Sequence, residues 1–184
     1  MSKQERKRYF IAIIPPEPLF SKVENLKKEL MLNYHTAAAL RSPAHITLHM
    51  PFLWSEAKES RLFQVLAQTS KYEPFTVELN GFGAFPPRTL YIQPEHNQAL
   101  HEFQESITHQ TRKQLNLFHA EHINGFQPHM TIAFRDLKKP DFYKAWEEFK
   151  DKPFEDEFTA EGFWLLKHTG KFWIAYKYFA FTQA

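Results

Sequence analysis

"PAHITLHM", residues 43–50, and "PHMTIAF", residues 128–134, decide how this chain is read. In each, a proline precedes a histidine, and an apolar residue, a threonine and a second apolar residue follow. The apolar, β-branched character of both runs predicts strands. Side chains alternate faces along a strand, so residues two apart point the same way, about 7 Å apart at the backbone. His45 and Thr47 therefore share a face, as do His129 and Thr131. Ile46, Leu48, Met130 and Ile132 point the other way, into packing. A lone His-x-Thr is a weak motif in a chain with 10 histidines. Taken singly, each histidine reads as a hydrogen-bonded residue of a half-buried strand. Two copies with the same apolar alternation ask for a different explanation.

Working outward, each copy sits in a similar unit. The first half reads strand ("RYFIAII", 8–14), helix (17–33), His-x-Thr strand, helix (from a Ser55 cap to about Lys71), then the strands "PFTVELNGFGAF" and "TLYIQP" around a Pro86-Pro87 turn. The second half reads helix (95–116), His-x-Thr strand, helix (140–150), and a closing hairpin of "DEFTAEGFWLL" and "KFWIAYKYFAF" turning at "KHTG". A Pro-Phe pair recurs after each motif, Pro74-Phe75 and Pro153-Phe154. Tyr91-Ile92 and Trp173-Ile174 close the two units. The expectation is an α+β fold, one bilobed domain over 1–184, with two lobes of antiparallel sheet related by a pseudo-two-fold axis around a central cleft.

Composition narrows the possibilities. A length of 184 residues can bury a sizeable core, and 43% hydrophobic with 24% charged residues is globular. The net charge is only +2, too weak for a protein that grips long duplexes by charge, so a short RNA end or a nucleotide is the better-fitting partner. With no cysteine, disulfides, Cys-ligated zinc and thiol chemistry are excluded. The apolar run after "MSKQERKR" is too short for a signal or membrane segment, so a cytoplasmic protein with no membrane association is expected. Five glycines, none spaced for a phosphate loop or dinucleotide motif, argue against ATP-driven chemistry.

Two imidazoles and two hydroxyls in one cleft suit displacement at phosphorus. Imidazole titrates near neutrality, so one copy can accept a proton while the other donates. Threonine hydroxyls can hold the non-bridging oxygens without adding charge. At this point "HITL" and "HMTI" resemble the paired signature of the two-histidine phosphoesterases. The length and the "FIAIIPPEP" opening are similar to the bacterial 2'-5' RNA ligase and RNA 2',3'-cyclic phosphodiesterase branch. The resemblance implies cofactor-free, metal-independent opening of a 2',3'-cyclic phosphate at an RNA 3' end or on a cyclic nucleotide, typically leaving a 2'-phosphate, with ATP-independent joining as the reverse. Carried over by position, it implies His45 and His129 as the acid–base pair and Thr47 and Thr131 as phosphate holders. Arg135, six residues past His129 and on its face by parity, implies a phosphate-facing cation. The chain departs from the pattern at His49, which leaves substrate preference open.

Other candidates carry less. His45 and His49 would suit zinc on a helix, but on a strand they lie about 13 Å apart at the backbone, so no metal site is assigned. His49 is expected at the rim of the cleft. His119 and His122 read as a solvated loop, and His168 as surface. Tyr91 and Trp173 are candidate base-stacking rings, with core packing the plainer reading of each. A nucleotide- or RNA-binding module with the same fold and little turnover is the alternative function. Nothing requires more than a monomer.

Overall fold

A computed structural model describes residues 5–118 and 125–182. Its strands are β1 (Arg6–Ile13), β2 (Ile46–Ser55), β3 (Phe75–Phe85), β4 (Thr89–Pro94), β5 (Met130–Ala133), β6 (Glu155–Ala160), β7 (Gly162–His168) and β8 (Trp173–Ala180). The α-helices are α1 (Leu19–Tyr34), α2 (Glu59–Thr69), α3 (Gln98–Leu115) and α4 (Lys139–Phe149). The strands pair antiparallel in the order β6-β3-β4-β5-β2-β1-β7-β8. Read outward from the middle, β2-β1-β7-β8 mirrors β5-β4-β3-β6, which is the expected two-lobed arrangement. Among the described residues the lobes join at one ladder position, Ile46 opposite Met130.

One face of the sheet is covered by helices. Tyr9, Ile11 and Ile13 of β1, Ile46 and Leu48 of β2, Leu90 and Ile92 of β4, and Met130 and Ile132 of β5 all enter one buried core with Val23, Leu30, Phe103 and Phe142 from the helices. The opposite face is left open and carries the alternate residues. β6 and β7 are separated in sequence by Glu161 alone, yet they stand near opposite ends of the strand order. A one-residue link cannot span a flat sheet of eight strands, so the sheet curls into a half-barrel. Phe103, Phe163 and Phe181 pack at the closure, with ring centroids 4.8–6.4 Å apart.

Two expectations change here. "DEFTAEGFWLL" is not one strand of a closing hairpin. It divides at Glu161, β6 pairing with β3 in one lobe and β7 with β1 and β8 in the other. Its polar first half, with Asp156, Glu157 and Thr159 around Phe158 and Ala160, already differed from the apolar second half. Ser55 does not cap a helix: it makes no capping bond, a 3-10 turn intervenes, and α2 begins at Glu59.

The two motif strands are also tied away from their seam. Asp136, just past β5, accepts hydrogen bonds from the Thr36 hydroxyl (2.6 Å) and from the backbone N–H groups of Ala37 (2.9 Å) and Ala38 (3.0 Å), which lie between α1 and β2. Charge-assisted bonds of this kind are the stronger class. Replacing Asp136 by Ala should lower folding stability by about 1–3 kcal/mol, measured by urea unfolding. An unchanged midpoint would remove Asp136 as a tie between the lobes.

Candidate active site

The antiparallel pair Ile46–Met130 fixes the register of the seam. Counting one residue either way sets His45 across from Thr131 and Thr47 across from His129. Directly opposed residues in such a ladder lie about 4.5–5.5 Å apart at Cα. All four residues are half-buried and lie on the open face. The result is a four-cornered patch in which each imidazole faces the other motif's hydroxyl.

The two rings are oriented alike. His45 Nδ1–H donates to the Pro43 carbonyl (2.6 Å), and His129 Nδ1–H donates to the Gln127 carbonyl (2.8 Å). A carbonyl only accepts, so the proton sits on Nδ1 in both rings. In neutral His45 this leaves Nε2 as the lone-pair nitrogen. Ring packing is matched as well. His45 lies against Phe10 of β1 (4.9 Å between centroids), and His129 against Tyr91 of β4 (5.4 Å) and Phe85 of β3 (5.2 Å). The counterpart of Tyr91 is therefore Phe10, on the strand next to the motif strand, and not Trp173. Tyr91 is 8% exposed and covers Gly83, where any Cβ would overlap its ring. It is packing behind His129 rather than an open stacking platform. Trp173 begins the edge strand β8, half-buried, edge-on to Phe10 at 4.7 Å.

The environments of the two histidines then diverge. His45 is pushed down to about 4, first by desolvation, with smaller downward contributions from the charges of Lys27 and His129, against the upward pull of the Pro43 carbonyl. Lys27 is 1% exposed. Its ammonium donates to Glu24 (2.7 Å) and to the Ser42 carbonyl (3.0 Å), one residue before the carbonyl that orients His45. Burial also lowers the Lys27 pKa, with Glu24 opposing. Sequence reasoning passed over this lysine, although it falls on the apolar stripe of α1 between Val23 and Leu30. It passed over Phe10 too, which alternation in "RYFIAII" places on the open face.

His49 and Arg135 stand elsewhere than expected. In the β1–β2 ladder Thr47 opposes Ala12, and His49 opposes Ile11. Ala12 and Ile11 are consecutive and point to opposite faces, so Thr47 and His49 do too. A β-bulge has inverted the parity. His49 is 1% exposed on the helix-covered side, edge-on to Phe52, with Nε2 buried without a partner among the described residues. It is not at the cleft rim, and it cannot share an ion with His45. The legible signal was Pro51, which has no N–H for the ladder and marks irregular strands. β5 ends at Ala133, before Arg135. Arg135 adopts a left-handed φ of 62° and lies exposed over Phe134, so parity does not carry it into the patch. His168, read as surface, meets Arg8 (3.0 Å) and Trp173 (4.7 Å). His119 and His122 lie outside the described residues. Among the described residues no three His, Asp or Glu cluster as metal ligands.

This chain and its fold match known proteins. A family model described as the 2'-5' RNA ligase superfamily matches residues 15–172, so the chain belongs to that superfamily, the two-histidine phosphoesterase group its paired motifs resemble. Among solved structures, Escherichia coli LigT complexed with 3'-AMP aligns at TM-score 0.72 and 20% identity over 97% of this chain and 100% of that one. A protein of Thermus thermophilus, TT0787, aligns at 0.69 and 19% over 96% and 98%. The PDE domain of MHV ns2 aligns at 0.56 and 13% over 88% and 99%. No curated protein matches the chain significantly. Membership supports a phosphoesterase-type enzyme.

The Lys27 contact makes a direct prediction. Removing a neighbouring positive charge favours the imidazolium, so Lys27→Met should raise the pKa of His45 above about 4, read by NMR titration of the ring protons. Lys27→Arg should keep it low. An unmoved titration in Lys27→Met would remove Lys27 as a cause and leave desolvation and His129.

Proposed function

We propose that this protein opens 2',3'-cyclic phosphates, at RNA 3' ends or on nucleotides, by metal-independent acid–base catalysis between His45 and His129. The observation that carries this reading is the seam register, which sets each histidine across from the other motif's threonine. Water attacks phosphorus in line. His45, neutral near pH 7 with Nε2 unprotonated, takes the proton of the attacking water. The P–O3' bond breaks, and His129 gives its proton to the departing oxygen, leaving a 2'-phosphate. Thr47 and Thr131 donate to the non-bridging oxygens, where charge is highest in the transition state. The two imidazoles supply both proton transfers, so no step requires a metal or cofactor. With the 5'-hydroxyl of a second RNA in the place of water, the same displacement breaks the P–O3' bond, gives its proton to His45 and joins the ends through a 2'-5' bond without ATP. LigT has been solved with 3'-AMP, ATP and NADP+, which supports a nucleotide as the group held in the cleft. We take residues 1–184 as one monomeric domain acting in the cytoplasm. No helix among the described residues is long and apolar enough to cross a membrane.

The test is a short RNA ending in a 2',3'-cyclic phosphate, assayed beside a linear RNA and a phosphomonoester. Only the cyclic end should react, and EDTA should not abolish the reaction. His45→Ala and His129→Ala should each lower turnover at least about a hundredfold, and the threonine variants less. Nucleotide binding without turnover of any substrate would instead identify a binding module.

The pH dependence follows from the sign of the His45 shift. A base with a depressed pKa stays unprotonated well below neutrality, so kcat/KM should hold from pH 7 downward and fall only as pH approaches about 4. A basic limb should follow loss of the proton from the acid. An acid limb near 6.5 would take the role of base away from His45.

A further inference from the structure

The strands of the two lobes divide their charges by sign. β1, β2, β7 and β8 contain Arg6, Lys7, Arg8, Lys167 and Lys177 and no Asp or Glu. β3, β4, β5 and β6 contain Glu78, Glu155, Asp156 and Glu157 and no Lys or Arg. Part of this charge is neutralised on the helix side, where Lys167 pairs with Glu56 and Glu59, and Asp156 with Lys22. On the open face the division persists. Glu78 and Glu157 oppose each other directly in the β3–β6 ladder, an arrangement of like charges that destabilises a sheet, and Glu155 pairs beside them with Asn80. On the other lobe Arg8 has no carboxylate partner among the described residues. It lies against His168 and 5.7 Å from the Trp173 ring centroid.

Arg8 stands at the end of a row of rings that begins at the candidate site. His45 touches Phe10 at 4.9 Å, Phe10 touches Trp173 at 4.7 Å, and Trp173 touches His168 at 4.7 Å. Beside this row Trp164 packs on Tyr178 at 4.9 Å, and Tyr178 is 42% exposed. Half-exposed rings beside an unneutralised guanidinium are the elements that hold single-stranded nucleic acid, rings for the bases and the cation for the backbone. The acidic lobe offers a polyanion the opposite.

We infer that the open face of the β1-β2-β7-β8 lobe is the track for the nucleotides preceding the reacting end, with Trp173 and Tyr178 stacking bases and Arg8 holding a phosphodiester. This rests on the proposed reaction and sharpens it: the substrate is a single-stranded RNA end several nucleotides long, entering over one lobe only. The Glu78–Glu157 pair repels the strand from the other lobe and so sets its direction.

The experiment compares a trinucleotide ending in a 2',3'-cyclic phosphate with the matching cyclic mononucleotide. The ratio of their kcat/KM values should be about ten or more, and it should fall at least about fivefold in Trp173→Ala and in Tyr178→Ala. In Arg8→Gln the salt dependence of trinucleotide kcat/KM should lose about 0.7 in log–log slope, as expected for one released single-strand phosphate contact. Arg8 and Tyr178 are exposed, so these two variants keep the test open if Trp173→Ala does not fold. A ratio near one, or variants that slow both substrates equally, overturns the track. If no substrate turns over, the proposed reaction fails, and fluorescence anisotropy of a labelled 3'-phosphorylated trinucleotide still decides the track. Binding weakened by the same variants upholds it, and binding unchanged by them overturns it.

Discussion

The backbone pair between Ile46 and Met130 is the constraint on which the site depends. It is the one ladder position across the seam among the described residues, and both side chains are fully buried in the helix-covered core. Burying both side chains drives the two motif strands together with their alternate residues outward. A one-residue slip of either motif strand would turn its own apolar residues to the open face and carry its histidine and threonine into the core. The apolar half of each motif thus enforces the placement of the polar half. Asp136 adds a second tie, joining the segment before β2 to the segment after β5.

Around this symmetric seam the two lobes are not equivalent. His45 has a buried lysine behind it and an aromatic wall beside it, both of which disfavour its charged form. His129 is packed by Tyr91 and Phe85, in the acidic lobe. The shared Nδ1–carbonyl bond keeps the rings alike in orientation, while their surroundings differ. The same asymmetry extends across the open face as the partition of strand charges.

Much of the fold was legible from pattern. Alternation located both motif strands and separated their faces, helical spacing located α1, and the repeated order of elements gave two lobes. These readings hold because burial of apolar side chains is a local, periodic demand. They fail where the chain departs from ideal period. His49 has the right parity for the cleft but follows a bulge at a strand containing Pro51. Arg135 has the right parity but lies past the end of β5. "DEFTAEGFWLL" reads as one strand, but its two halves belong to different lobes, because strand pairing is set by contacts distant in sequence.

The sequence by itself singled out His45, Thr47, His129 and Thr131 as one set on one face, since two His-x-Thr strands backed by apolar residues leave few ways to fold. It also determined the sign and distribution of charge along each strand. Tertiary structure alone decided that each histidine faces the other motif's threonine, that Phe10 and not Trp173 is the partner of Tyr91, and that Lys27 lies behind His45. Those facts depend on register across the seam and on helix packing against the sheet. Both are properties of residues brought together from remote parts of the chain, which no local periodicity encodes.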